Sequence, residues 1–274
     1  MTMTPEQLSA WLPAVMDIAD AAGREIMRIY ESGFSVTLKP DRSPRTEADL
    51  AAQHLIAEGL KRLTPQWPML GEESAPEVFA QRRAWSTLWL VDPLDGTREF
   101  VKRNGEFSVN IALVEDGEPV LGVVSGPARS LLYAASRGGG AFRRGADGIC
   151  RRIHVQLPAA APLRLLGSRS FGDAKLDREL QTLGPALRIS LGSALKFGLL
   201  AEGGGDLYVR RGPTSEWDTA AGHALVLEAG GCVVDLAGRP LRYNVRDDVI
   251  NPSFMVYGDR SRDWVALLQG LQGH

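Results

Sequence analysis

The stretch Trp89-Leu90-Val91-Asp92-Pro93-Leu94-Asp95-Gly96-Thr97 decides how the chain is read. The apolar run Leu88 to Val91 predicts a short buried strand. It ends in two acids, Asp92 and Asp95, with Pro93 between them. Proline fixes its own φ and carries no amide proton, so the strand is expected to stop there and the chain to turn. Side chains of a straight strand alternate faces, whereas a turn lets acids three positions apart converge. Gly96 permits close backbone approach and Thr97 adds a hydroxyl. Such a strand end suits a hard cation and a phosphate. The same residues would equally build an Asx-type turn that only closes a strand.

The surroundings narrow the choice. With 274 residues, 44% hydrophobic and 23% charged, the composition is that of an ordinary globular protein. The length suits one large domain or two packed ones. A net charge of -2 supplies no global field for a nucleic-acid polymer or an anionic membrane. Arg143-Arg144 and Arg151-Arg152 read as solvated loop charge. Cys150 and Cys232 belong to no metal-type spacing and are expected to stay reduced. Met1 to Ala10 lacks a signal-peptide pattern, and no apolar run approaches the ~20 residues of a membrane span. A cytoplasmic enzyme is the expectation, with peripheral association with the inner membrane left open.

Upstream of the opening stretch, Thr4-Pro5 starts a long amphipathic helix that Gly33 can end. Lys39 to Pro44 reads as a polar loop. Thr46-Glu47-Ala48-Asp49 opens a second helix to about Leu63, with capping-box spacing between Thr46 and Asp49. Asp49 can thus serve only the helix start, or can face a metal-bound water. Met69-Leu70-Gly71-Glu72-Glu73-Ser74 is a strand end. Downstream, Arg98 to Glu106 reads as a charged loop. Phe107 to Val114 and Val120 to Val124 form a hairpin around Asp116-Gly117. Arg151 to Pro162 reads as a seam, after which strands and helices alternate. The expectation is α+β with an α/β second half: an N-terminal domain, 1–157, carrying most of the acids, and a C-terminal domain, 158–274, completing the site.

Glu216-Trp217-Asp218-Thr219-Ala220-Ala221-Gly222 adds another acid, Asp218, in the first turn of a helix that small residues allow to pack closely. The collected acids are Glu72, Asp92, Asp95 and Asp218, with Asp49 nearby. Several acids in one place repel unless cations sit among them. Few histidines and no cysteine cluster argue against zinc, and oxygen donors argue for Mg²⁺ or Mn²⁺.

Gly71-Glu72-Glu73-Ser74, Asp92-Pro93-Leu94-Asp95-Gly96-Thr97 and Trp217-Asp218-Thr219-Ala220-Ala221-Gly222 resemble the three signatures of the inositol monophosphatase superfamily, in order. The resemblance runs from about Lys39 to Tyr257 and implies a layered α-β-α-β-α sandwich of the inositol monophosphatase/fructose-1,6-bisphosphatase type. It implies that Glu72, Asp92 and the Leu94 carbonyl hold a first Mg²⁺, and that Asp92, Asp95 and Asp218 hold a second. Asp49, near a third and weaker ion, would with Thr97 orient and deprotonate water, while the Gly96 and Thr97 amides hold phosphate. It also implies inhibition by Li⁺ and a homodimer.

The run Thr97-Arg98-Glu99-Phe100-Val101-Lys102-Arg103-Asn104-Gly105-Glu106-Phe107-Ser108-Val109-Asn110-Ile111-Ala112-Leu113 is similar to the bacterial 3'(2'),5'-bisphosphate nucleotidase branch, as are Gly192 to Phe197 and Asn251-Pro252-Ser253-Phe254. The implied substrate is a small phosphate ester. Adenosine 3',5'-bisphosphate would give AMP, and the sulfated 3'-phosphoadenosine 5'-phosphosulfate would give adenosine 5'-phosphosulfate, which places the chain in sulfate assimilation. Ser193, Lys196 and Arg210 match nucleotide-side positions, although Lys196 and Arg210 also read as ordinary solvated cations. Phe171 departs from the branch's frequent histidine, so inositol and sugar phosphates remain alternatives. A silent nucleotide- or metal-sensing protein is a further alternative, although no ligand acid is missing.

Overall fold

The computed structural model describes residues 2–39 and 43–270. The chain runs α1 (Pro5–Ser32), β1 (Val36–Leu38), β2 (Pro44–Thr46), α2 (Glu47–Leu63), β3 (Met69–Gly71), α3 (Pro76–Gln81), β4 (Thr87–Asp95), α4 (Thr97–Val101), β5 (Ser108–Glu115), β6 (Glu118–Gly126), β7 (Leu131–Ser136), β8 (Gly140–Arg144) and β9 (Cys150–Ile153). It continues with β10 (Leu163–Ser168), α5 (Ala174–Gln181), β11 (Ala186–Leu191), α6 (Leu195–Ala201), β12 (Leu207–Arg210), α7 (Ala220–Glu228), β13 (Cys232–Asp235), β14 (Phe254–Tyr257) and α8 (Trp264–Gly270).

β3 to β9 form a seven-stranded sheet in sequence order. Only the β3–β4 pair in it is parallel. A five-stranded sheet has the order β11-β10-β12-β14-β13. Strand alternation sorts the cores between them. Trp89, Val91, Val109, Ile111 and Leu113 face α1 and α2. Leu88, Leu90, Ala112 and Val114 face the other way, onto α6 and α7. Those two helices also pack on Leu166, Tyr208, Phe254 and Val256 of the second sheet. Its far side, Leu165, Leu207, Val209 and Met255, meets α5 and α8. The layers are therefore helix, sheet, helix, sheet, helix, as the resemblance implies.

Local chemistry explains the boundaries. Thr4 caps α1 in a reciprocal box with Gln7, and Thr46 caps α2 in the same way with Asp49. Asp116 and Gly117 both take positive φ, which the tight β5–β6 hairpin needs.

Four expectations change. First, β4 does not stop at Asp92. Pairing with β5 resumes at Asp95–Ser108 after an irregularity between Asp92 and Asp95. Pro93, with no amide proton, sits inside that bulge, where a ladder bond is lost anyway. Second, Arg98 to Glu106 is not all loop, because Thr97–Val101 form α4. Third, Asp218 closes a 3-10 turn, Glu216–Asp218, ahead of α7. Fourth, the flanks of the expected loop from Lys39 to Pro44 belong to a β1–β2 hairpin pairing Leu38 with Pro44. Pro40, Asp41 and Arg42 lie outside the described residues.

Candidate active site

The bulge in β4 builds the site. One extra residue on this strand reverses the alternation, so Asp92 and Asp95 both reach one cavity while Leu94 stays in the α1–α2 core. Asp92 Oδ1 accepts the Leu94 amide at 3.0 Å, which completes the Asx turn anticipated above. Gly96 then takes φ 88°, ψ 40°, a left-handed conformation that glycine adopts without steric cost, and leads into α4.

The cavity, of about 910 Å³, collects nearly every predicted residue: Glu72, Asp92, Leu94, Asp95, Gly96, Thr97, Ser193, Lys196, Arg210 and Asp218. Asp49 is buried and reaches it through Thr97. Its Oδ2 accepts the Thr46 amide and hydroxyl, both at 2.7 Å, and its Oδ1 accepts the Thr97 hydroxyl at 3.4 Å. The cap and the site share one carboxylate. A second cavity, of about 520 Å³, opens away from the acids beside Asp20 and Arg144.

Each acid has its own holder. Asp95 Oδ2 accepts the Ala194 amide at 2.6 Å and the Asn110 side-chain amide at 3.3 Å. Asp218 Oδ2 accepts the Ser215 amide at 2.8 Å. Glu72 Oε1 lies 2.5 Å from Lys39 Nζ, which also pairs with Glu73. Among the described residues no group of three or more His, Cys, Asp or Glu side chains is gathered within reach of one ion. The acids still feel one another. Burial raises Asp92 well above the ordinary carboxylate range, and Glu72, Asp95 and Asp218 raise it further. Burial, with Asp95 and Glu72, does the same to Asp218. Burial lifts Asp95 to about 6 against the pull of Lys196, and lifts Asp49 to about 6 against the Thr46 hydrogen bonds. Buried oxygen donors with excess negative charge are what a hard divalent cation would relieve, so the residues fit Mg²⁺ or Mn²⁺.

The same cavity also carries cations. Lys196 is not the solvated helix lysine its sequence context also allowed. It is buried, donates to Ser193 O at 2.6 Å and lies 5.3 Å from the Tyr208 ring. Burial lowers it to about 8, and Asp95 opposes that shift. Arg210 donates to Ser168 Oγ at 3.2 Å and to Pro213 O at 3.2 Å. Phe171, 48% exposed, has Arg98 at 4.6 Å and Arg210 at 5.2 Å from its ring centre.

Sequence reasoning gave no role to Lys39 or Asn110. Asn110 carried a signal, since a polar residue between Val109 and Ile111 in an apolar strand asks for a buried partner. Lys39 carried none, because its partner Glu72 is remote in sequence.

Known proteins similar to this chain give its family. The inositol monophosphatase family model matches residues 7–264. The chain is 46% identical to the 3'(2'),5'-bisphosphate nucleotidase CysQ of Escherichia coli K12, over 89% of this chain and 98% of that protein. It is 38% identical to the CysQ of Haemophilus influenzae, over 94% and 96%. Its structure is similar to the crystal structure of CysQ from Bacteroides thetaiotaomicron, with a TM-score of 0.79 at 39% identity, covering 92% and 98% of the two chains. An inositol monophosphatase from Thermotoga maritima gives 0.76 at 27% identity, covering 94% and 96%. The chain belongs to the inositol monophosphatase family.

Proposed function

We propose that the protein is a Mg²⁺-dependent 3'(2'),5'-bisphosphate nucleotidase, which removes the 3'-phosphate of adenosine 3',5'-bisphosphate and leaves AMP. One observation carries this reading: a single cavity is lined both by the acids, suited to metal and the reacting phosphate, and by Lys196 and Arg210, suited to a second phosphate. An ester with one phosphate would not need both cations. The likeness to the CysQ proteins supports the same substrate. 3'-Phosphoadenosine 5'-phosphosulfate shares the groups recognised and is proposed as a second substrate.

Glu72, Asp92 and the Leu94 carbonyl would hold one ion, and Asp92, Asp95 and Asp218 another, with Mn²⁺ as a substitute. When bound, such ions neutralise phosphoryl oxygens and lower the pKa of a bound water. The chain supplies positioning, which is most of what phosphoryl transfer needs. Thr97 Oγ donates to Asp49 and to Leu94 O, so the hydroxyl is held beside the bulge, ready to orient water. Asp49, lifted to about 6, is poised to accept a proton near neutral pH. The Gly96 and Thr97 amides would hold the reacting phosphate. Ser193, Lys196 and Arg210 would take the 5' side, and Phe171 would stack on adenine. We place the division of labour at residues 157/158, and assign the homodimer and the cytoplasmic location on the family likeness. No helix among the described residues is long and apolar enough to cross a membrane.

One observation favours a second reading. Phe171 has no side-chain hydrogen-bonding atom, so base selection is weaker and a broader inositol or sugar phosphatase becomes the competitor. Product analysis tests the proposal: adenosine 3',5'-bisphosphate should yield AMP and orthophosphate with Mg²⁺ or Mn²⁺ present and not after chelation. Adenosine 3'-phosphate as product, or no release, contradicts it.

A further inference from the structure

Glu106 lies outside the predicted site, yet it is buried, with 5% of its surface exposed, and its carboxylate is crowded with donors. Oε2 accepts the Gly192 amide at 2.9 Å. Oε1 accepts Arg169 Nη2 at 2.7 Å and Arg129 Nη2 at 3.0 Å, and Arg169 Nε also donates to Oε2. These partners come from three places: the segment after β6, the segment after β10, and the turn between β11 and α6. Glu106 itself follows α4, a few residues beyond Thr97. Although burial works against it, Arg169, the Gly192 amide and Arg129 hold this carboxyl below its ordinary range, so the group stays charged.

Two segments fastened here follow strands of the second sheet and carry the groups proposed to face the nucleotide. Gly192 begins the turn that continues into Ser193, at φ 51°, and Lys196. Gly192 also has no space for a side chain, because the Glu106 backbone oxygen and the Glu99 side chain fill it. Arg169 opens the segment that ends in Phe171 and donates a further bond to Ser190 O at 2.7 Å. Lys102 Nζ adds a second tie from the α4 side, to Ser170 Oγ at 2.7 Å.

We infer that Glu106 is a positioning residue, a charged latch in the segment between α4 and β5 that sets where Phe171, Ser193 and Lys196 stand over the proposed phosphate site. The assignment rests on the nucleotide reading above and extends it, because most of what fastens the recognition segments lies apart from what holds the acids. Asp218, Glu72 and Asp95 are held by Ser215, Lys39 and Asn110, none of which touches Glu106, and the Ala194 amide on Asp95 is the one tie to the acids that lies in a segment Glu106 fastens. Charge-assisted hydrogen bonds are the strong ones, and neutralising the shared acceptor weakens several at once.

The test is Glu106→Gln in the full chain, read by amide hydrogen exchange and by steady-state kinetics. Exchange should quicken in peptides covering 168–173 and 190–196 and stay unchanged in those covering β8 and β9. KM for adenosine 3',5'-bisphosphate should rise about tenfold, with kcat within about threefold. Arg169→Ala should do the same, and the double variant should add little to either single one. Unchanged exchange in both segments overturns the latch, as does a rise throughout the molecule. Quicker exchange in the two segments with an unmoved KM overturns its part in recognition. If the wild type does not act on the nucleotide at all, the proposed function fails, while the exchange pattern still decides the latch.

Discussion

The Ala194 amide donates to Asp95 Oδ2 across 2.6 Å, so the turn before α6 is fastened directly to an acid of the β4 bulge. The bond ties the turn that leads to Lys196 to the acids. Any change at Asp95 therefore separates metal chemistry from architecture, depending on whether the acceptor is kept.

Asp95→Asn keeps an acceptor for Ala194 and removes a charge that also raises Asp92 and Asp218. Turnover should fall by at least ~10³, on the order of 4 kcal/mol of transition-state stabilisation. The unfolding midpoint should hold or rise, because the repulsion among buried acids is relieved. Activity within tenfold of wild type contradicts the assignment, and circular dichroism checks the fold.

His223 provides a pH-dependent stability test away from the metal acids. Its ring is buried, Nδ1 lies 3.0 Å from Tyr243 Oη, and burial lowers its pKa to about 3. The folded value is below the unfolded one, so the folded protein keeps the ring neutral while the unfolded chain gains a proton below ~6.5. This contribution to stability is full above that pH and is lost as pH falls towards 3. Raised carboxyls such as Asp92 act with opposite sign, so the readout is the difference between wild type and His223→Gln. In urea titrations that difference should move against the wild type by about 1.4 kcal/mol per pH unit below ~6.5. A difference that stays constant from pH 7 to pH 4.5 contradicts it.

Phe171→Ala removes the exposed ring that Arg98 and Arg210 contact. Base stacking on an aromatic ring contributes about 1–3 kcal/mol, so KM for the nucleotide should rise roughly tenfold. Hydrolysis of inositol 1-phosphate should change less than twofold. Equal losses on both substrates contradict a role in stacking.

Much of the site was readable because its signals are local. Asp92 to Thr97, Glu72 and Asp218 each sit in a short run whose chemistry is visible without knowing the fold. The cap at Thr46 and the hairpin at Asp116-Gly117 were readable for the same reason. Other features depend on distant partners. Pro93 signalled a break, but only the pairing of Asp95 with Ser108 shows that the ladder resumes. Helix α4 spans Thr97–Val101, too few turns for periodicity to register. The burial of Lys196 runs against the usual exposure of lysine and follows from Asp95 and Tyr208 standing on other elements. Glu106 gave no local signal, since all of its side-chain partners are remote in sequence.

The most direct measurement compares kcat/KM for adenosine 3',5'-bisphosphate, inositol 1-phosphate and fructose 1,6-bisphosphate, with Mg²⁺ present and after chelation. The account predicts a preference for the nucleotide of at least about tenfold, with activity lost on chelation and restored by Mg²⁺. A preference for either sugar substrate, or turnover that survives chelation, would contradict it.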